Sequence, residues 1–437
     1  MNQRIAICLN PFISHFIPTI TMAKELCSRG NTVQYIGFED MENVVKKEGF
    51  CYLSITSCKN QEIVLLQKRK AYKELGELYR KLHNEVKELL ISNGFDLILI
   101  GVSRFINYLL PAMKTDAKIV FYSLCAGVPY FQYNTPPVVS DYVMTDKPYD
   151  SIVCISRWFA RFMRKGLRPN IITSHLFYPW NEIKQECKKR KISWRFGIDG
   201  FFPCFPIISF GTKYFEFNDK PNGRFTGLGL SNKECISNNS NSLKLEYDKL
   251  SSKPLIYCSL GTMSERYPNA EIFIKAVLSL FMVRPQWNLI LSLGKLGKTL
   301  EINDLPENIK VIDYAPQLEI LKYADIVLTH GGYGTVKECI YYGVPMIVFS
   351  CSYDQHGNAA RVHYHRIGIK SSILKRSIYQ RVFKSFRKKI TTDDIDILIQ
   401  RLLQEEQYKK NILLLRNRIV STDELNQVIN YLVNEVN

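Results

Sequence analysis

No apolar run in this 437-residue chain approaches the roughly 18 residues that a membrane-spanning helix needs. The opening MNQRIAICLN offers one Arg and a short apolar stretch ended by Asn10 and Pro11, too short for a secretory signal and better read as a first strand. A cytoplasmic protein is therefore expected. Its 12 cysteines contain no CxxC pair and no Cys/His spacing of the zinc type, which excludes the common metal and redox motifs. Thiols inside apparent strands, such as Cys8, Cys154 and Cys258, are expected to pack as small hydrophobes. Acidic residues are outnumbered, 41 against 58 basic, for a net charge of +17. A field of that sign attracts nucleic acid, anionic lipid or phosphorylated small molecules. No zinc-finger, helix-turn-helix or RNA-binding sheet signature is present, so nucleic acid is not an expected partner. The clusters Lys188-Lys189-Arg190-Lys191 and Arg387-Lys388-Lys389 read as solvated surface, with peripheral contact to the inner face of an anionic membrane as the further expectation. The basic stretch 375–389 has no explanation from sequence.

What the chain does contain is globular: 46% hydrophobic and 23% charged residues, over a length too great for one hydrophobic core. Arg4–Leu9, Thr32–Ile36, Asp96–Ile100, Lys118–Tyr122 and Ser151–Ile155 are continuous apolar runs, the pattern of strands buried on both faces. Helices are expected over Pro18–Arg29, closed by Gly30, and over about 61–92, closed by Asn93-Gly94. Ser237-Asn238-Asn239-Ser240-Asn241-Ser242 then breaks the pattern as a polar linker. Alternation restarts with strands at Leu255–Ser259, Trp287–Leu291, Ile309–Ile312, Ile326–Leu328 and Met346–Phe349, and helices at Asn269–Met282 and Thr335–Tyr342. Helical stretches near Asp393–Leu403 and Asp423–Val433 close the chain. The fold expected is α/β, with two doubly wound domains. Their expected boundaries are 1–235 and 254–405, a linker 236–253 between them, and a C-terminal helical segment 406–437 packing back on the first domain.

The most specific segment begins at Tyr314-Ala-Pro-Gln317. It continues as Thr329-His330-Gly331-Gly332-Tyr333-Gly334-Thr335-Val-Lys-Glu338, then Gly343-Val344-Pro345 and Asp354-Gln355. A strand ends, a Gly-rich turn carries a histidine, and a helix opens near Thr335. Backbone amides at a helix start, aided by its dipole, bind anionic phosphate. The glycines admit close approach, His330 can add a hydrogen bond or a positive charge, and Glu338 can accept from ribose hydroxyls. Glycines also make tight turns with no ligand at all, so the weight rests on the ordered set.

That ordered set, from about 312 to 360, resembles the donor-binding signature of the family 1 glycosyltransferases. The resemblance implies the GT-B architecture, two Rossmann-like domains facing a cleft, with an N-terminal acceptor-binding domain and a C-terminal domain holding the nucleotide sugar. It implies that Tyr314 stacks on uracil where the family usually has Trp, and that Gln317 binds the base or ribose. His330, Gly332, Gly334 and Thr335 would contact the diphosphate, Glu338 the ribose, and Asp354 and Gln355 the sugar hydroxyls, Gln going with glucose. Gly334 departs from the Asn common at its position, leaving only backbone donation there. Tyr257-Cys-Ser259-Leu-Gly261-Thr262 resembles the family's Ser-x-Gly-Ser/Thr loop, so Ser259 and Thr262 join the diphosphate contacts.

Inverting transfer needs a base for the acceptor hydroxyl, and an imidazole titrates near working pH. His15, in Ser14-His15-Phe-Ile-Pro18 after the first strand, is similar to the family's His-x-x-Pro element and so is the expected base. The aspartate that often orients it is missing: the corresponding stretch reads Asp96-Leu-Ile-Leu-Ile-Gly101-Val-Ser103-Arg104, with Asp96 at the wrong end of the strand. Phe12, Phe16, Phe105 and Phe131 are candidates for the acceptor pocket, and the apolar run 200–206 suggests a lipophilic acceptor. No metal or other cofactor is implied; Asp394-Ile-Asp396 has DxD spacing but reads as the cap of a helix. The expected function is transfer of a hexose, glucose favoured, from a UDP-sugar to a hydroxyl of a lipophilic small molecule. The alternatives are a degenerate relative that binds nucleotide sugar without turnover and a nucleotide-sugar epimerase of the same architecture.

Overall fold

The computed structural model describes residues 2–165, 178–217, 223–230, 253–261, 264–267, 269–298, 304–371, 374–375 and 388–435. The expected polar linker Ser237–Ser242, Thr262, and residues 376–387 of the basic stretch lie outside them.

The N-terminal half contributes β1 (Arg4–Cys8), β2 (Thr32–Phe38), β3 (Cys51–Ile55), β4 (Leu97–Gly101), β5 (Lys118–Ser123), β6 (Trp194–Gly197), β7 (Gly200–Pro203), β8 (Ile207–Ser209) and β9 (Arg224–Phe225). Seven of these form one parallel sheet in the order β3-β2-β1-β4-β5-β8-β9, while β6 and β7 make a separate antiparallel hairpin. The C-terminal half contributes β10 (Leu255–Ser259), β11 (Asn288–Ser292), β12 (Ile309–Ile312), β13 (Ile326–Thr329), β14 (Met346–Phe349) and β15 (Gly368–Ser371), parallel in the order β12-β11-β10-β13-β14-β15. Strands such as Ile5–Cys8 and Leu255–Ser259 are buried throughout because helices cover both sheet faces. Each sheet reverses its winding once, between β1 and β4 in the first and between β10 and β13 in the second. Such reversals open a crevice at the carboxyl ends of the strands, where ligands bind in open α/β sheets.

The expected strands hold to within a few residues, with one exception. Ser151–Ile155 is the first part of a helix, Asp150–Lys165. A short apolar run cannot by itself separate a strand from a helix segment, and apolar residues recur here at 152, 155, 159 and 163, the helical spacing. The first helix is Ile13–Ser28, starting ahead of Pro18 and carrying that proline inside it. The long helical stretch is two helices, Asn60–Arg69 and Tyr72–Asn93, separated at Lys70 by a left-handed φ of 57°. The run 200–206 is not loop throughout: it opens with β7 and buries Phe202 and Phe205.

Several contacts join the halves. Arg361, fully buried on the helix Gln355–Tyr364, pairs at 2.8 Å with buried Glu216, and His365 Nε2 meets the Glu216 carbonyl oxygen at 3.0 Å. The Tyr333 hydroxyl lies so close to Gly211 that a Cβ there would come within 2.1 Å of it. Val428, Ile429, Tyr431 and Leu432, at the C-terminal end, pack in one cluster with Ile5, Ile7 and Leu99 of the first sheet. The Glu424 carboxylate accepts from the Lys213 amide at 2.9 Å.

Candidate active site

The second crevice is flanked by the loops that leave β10 and β13. Its histidine is tightly held. A Cβ on Gly261 would lie 2.5 Å from His330 Cε1, and one on Gly332 would lie 2.5 Å from its Nε2. Both glycines are therefore required by the imidazole itself, in addition to any phosphate. Tyr267 stacks on the ring, centroids 5.8 Å apart. The ring donates to the Ser259 carbonyl, while burial drives its pKa down to about 4. His330 is thus neutral, and it contributes positive charge only when an anion nearby lifts that pKa. Ser259 Oγ accepts from the Gly261 amide at 3.3 Å. The helix Tyr333–Tyr342 begins beside this ring with Gly332 as its N-cap residue. Gly334 faces open space, with no atom within 4 Å of a Cβ placed on it.

Around that helix the predicted nucleoside ligands form one network. Gln317 donates to the Glu338 carboxylate and, at 3.3 Å, to the Thr335 hydroxyl; its carbonyl accepts from the Tyr257 hydroxyl at 3.1 Å. Burial raises the Glu338 carboxyl to about 7, against the lowering effect of Gln317. Tyr314 stands in the same loop as Gln317 and is 69% exposed, a ring free to stack on a base. Asp354 accepts from Asn358, which also donates to the Gly331 carbonyl at 2.9 Å, so the Asp354 carboxylate is tied to the histidine turn. Burial raises its pKa.

Gln355 is more constrained than its expected role suggests. Its carbonyl oxygen accepts from the amides of Cys351 and Ser352, both at 2.9 Å, and its nitrogen donates to the Tyr267 hydroxyl at 3.0 Å. One N–H is left for a sugar hydroxyl. Tyr267, which no motif in the sequence singles out, therefore links the histidine ring to the glutamine; its only signal in the chain is its place shortly after the Ser259 loop.

The first crevice holds His15. Its ring meets Asn10: the amide nitrogen of Asn10 lies 3.2 Å from His15 Nδ1 and 2.9 Å from the Ser103 carbonyl oxygen. The Ser103 contact orients the amide, because its own oxygen placed there would face another acceptor. Asn10 therefore donates to Nδ1, and the neutral imidazole carries its proton on Nε2. The Asn10 oxygen is buried with no partner among the described residues. Burial, with the Arg104 cation nearby, lowers the His15 pKa to about 4. Asp96 accepts from the Arg4 amide at 2.8 Å, at the far end of β1, as expected from its position.

The two crevices are brought together through Gly229. A Cβ there would sit 3.8 Å from the Pro18 carbonyl oxygen and 3.7 Å from Lys337 Nζ, and Thr21 donates to the Gly229 carbonyl at 2.7 Å. The helix that carries His15 in its first turn and the helix that follows His330 thus approach each other across one residue. Lys337 is buried there, donating to the Phe210 carbonyl, and burial lowers its pKa to about 8.

Two of the four acceptor-pocket candidates are core residues. Phe16 is fully buried against the Tyr35 ring, and Phe105 is buried between Phe121 and Trp180. A sequence position next to a loop did not reveal that their rings turn inward. Phe12 remains beside His15, ring centroids 5.2 Å apart and Arg104 over its face, and Phe131 is 45% exposed. Asp394 forms a capping box with Thr391, and Asp396 pairs with Arg284.

Residues 288–434 match the family described as the C-terminal domain of erythromycin biosynthesis protein CIII-like proteins. Zeaxanthin glucosyltransferase of Pantoea ananas is 26% identical over 392 residues, 83% of each chain. YojK of Bacillus subtilis (strain 168), described as an uncharacterized UDP-glucosyltransferase, is 32% identical over 161 residues. That match spans 37% of either chain, little more than a third of the relative's length. Among solved structures, the glycotransferase of kitacinnamycin superposes over 100% of both chains with a TM-score of 0.71 at 17% identity, a likeness of fold.

Proposed function

Since the chain belongs to the family 1 glycosyltransferases of GT-B fold, we propose that it transfers a hexose, glucose first, from a UDP-sugar to a hydroxyl of a lipophilic small molecule, with inversion. The observation that carries this reading is the Gln317–Glu338–Thr335 network set beside the His330 turn, with the His15 helix meeting the same helix through Gly229. In the proposed complex Tyr314 stacks on uracil and Glu338 accepts from ribose hydroxyls. The amides that open the helix Tyr333–Tyr342 bind the diphosphate. The names of two relatives, a UDP-glucosyltransferase and a zeaxanthin glucosyltransferase, support the donor and the kind of acceptor.

In the reaction the acceptor oxygen attacks the anomeric carbon as the bond to the β-phosphate oxygen breaks, and UDP leaves with the electron pair. The acceptor's proton passes to His15. Negative charge grows on the leaving oxygen, where the helix amides, and His330 once the diphosphate has raised its pKa, offset it. An imidazole accepts on the nitrogen that lacks a proton. With Asn10 donating to Nδ1, the ring must shift its proton before Nε2 can accept, so an amide is a poorer orienting partner than a carboxylate.

That amide favours one second reading, a nucleotide-sugar binder with little turnover. Incubation with UDP-glucose and a panel of phenols, carotenoids and polyketides, with mass detection of products, separates the two. Transfer is expected in wild type. His15→Ala should lower kcat by about 10²–10⁴-fold with UDP affinity unchanged. UDP binding without any product would give the second reading its support, and isomerised sugar without acceptor would point to an epimerase.

A further inference from the structure

The helix Asp150–Lys165 is built inside out. Its charged side chains among the described residues are held by the protein: Asp150 accepts from the Tyr142 hydroxyl at 2.5 Å and the Thr145 amide at 2.8 Å. Arg157 pairs with Asp141 at 3.4 Å, and Arg161 donates to the Ile198 carbonyl at 2.6 Å. Trp158 is buried with its indole N–H on the Thr135 carbonyl. Among the described side chains the outward arc consists of Ile152, Ile155, Ser156, Phe159, Ala160 and Met163, without a charge. Its four large side chains are 46% to 69% exposed. At 100° per residue these positions fall on one stripe. Phe162 packs on Phe196 and Phe201 of the β6–β7 hairpin, and Phe201, itself 42% exposed, extends the stripe.

We propose that this face rests on a membrane surface rich in anionic lipid, with the helix lying in the plane of the interface. A helix of this kind binds by sinking its apolar side to the depth of the headgroups, and cationic charge strengthens its attachment to anionic lipid. Charge selects the partner. A chain at +17 is drawn to an anionic bilayer, whereas a second copy of itself, bearing the same charge, is repelled. Among the described residues no helix is long and apolar enough to cross a membrane, so the contact is peripheral. If the proposed transfer reaction holds, the contact also places the enzyme where lipophilic acceptors accumulate; the surface itself does not depend on that reading.

The test is flotation of the full chain with phosphatidylcholine vesicles, with and without phosphatidylglycerol. Wild type is expected to float with the anionic vesicles and to be released in part by high salt. The double substitution Ile152→Ser with Phe159→Ser should weaken flotation by at least about tenfold, with thermal unfolding and UDP binding retained as proof of folding. Wild type that stays at the bottom of the gradient, or a double variant that floats as well as wild type, would overturn the proposal. So would a dimer in sedimentation that the two substitutions dissociate, since the stripe is then a contact between copies. A rise in acceptor KM without vesicles, with flotation unaltered, would assign the stripe to the acceptor pocket and reject the membrane.

Discussion

The two crevices of this molecule arise from the same topology, yet they are furnished very differently. In the second, His330 is walled in by Gly261, Gly332 and Tyr267, and Gln317, Glu338, Thr335 and Tyr257 bond to one another. In the first, the His15 ring has one hydrogen-bond partner among the described residues, the Asn10 amide, whose own oxygen is unpaired among them. On the proposed reading, the crevice that would receive a large, highly charged ligand is organised before the ligand arrives. The crevice that would accept the proton is sparser, and it depends on a single side chain for the state of its ring. Binding and turnover should then be separable, and substitutions on the two sides should fail in different ways.

The sharpest break between the sides is expected from Glu338. With its carboxyl held up to about 7, ribose hydroxyls that donate to the ionised form must drive off a proton. UDP binding should tighten as pH rises through 7, with proton release measurable by calorimetry in buffers of different ionisation heat. Glu338→Gln should bind UDP about 10–100-fold more weakly and lose that pH dependence. Unchanged affinity in the variant would remove Glu338 from the nucleoside site. On the other side, Asn10→Asp supplies a carboxylate that accepts from Nδ1–H and frees Nε2. A rise in kcat of about tenfold is expected, with UDP affinity unaltered. A neighbouring anion also favours the imidazolium, so the acid limb of the pH–rate profile should move up from near the His15 value of about 4. A slower enzyme would show that the amide is the better partner.

Smaller effects probe the furnishing of the donor side. Gly334 faces open space, so Gly334→Asn fits and adds a donor toward the diphosphate; a fall of about 3–10-fold in the donor KM is expected. Tyr267→Phe removes the hydroxyl that accepts from Gln355 and leaves the stack on His330. It should loosen discrimination between donor sugars by a few-fold, read as the ratio of kcat/KM values, with UDP affinity held. Equal loss for UDP itself would make Tyr267 a support of the histidine alone.

Much of the second half was legible because its signals are local. β10 and β14 match the expected strands residue for residue, since continuous apolar runs bounded by polar or Gly/Pro residues leave few alternatives. The proposed donor residues lie in the loops and first helical turns that follow the strands of one sheet, so their order along the chain follows the order of those strand ends. The acceptor side was less legible. Phe16 and Phe105 sit near the right loops but face the core, and the apolar run from Ser151 to Ile155 belongs to a helix. In each case the decision lay with residues distant in sequence: Tyr35 for Phe16, Trp180 for Phe105, and Asp141 for the orientation of the helix through Arg157.

Composition and pattern by themselves determined the two α/β domains, the position of the histidine turn and the lack of a carboxylate past the strand that ends at Gly101. Each follows from periodicity, which burial imposes on every strand and helix, or from residues adjacent in the chain. Only the tertiary structure decided which nitrogen of His15 is held, that Gly261 and Gly332 make room for a ring, that Gln355 has one N–H left, and that a helix turns its apolar stripe outward. Each of those properties includes a contact from a segment distant in sequence, Ser103 on Asn10, Gly261 on His330, Tyr267 on Gln355 and Asp141 on Arg157, and a side chain's partner is chosen by packing after the backbone has been placed.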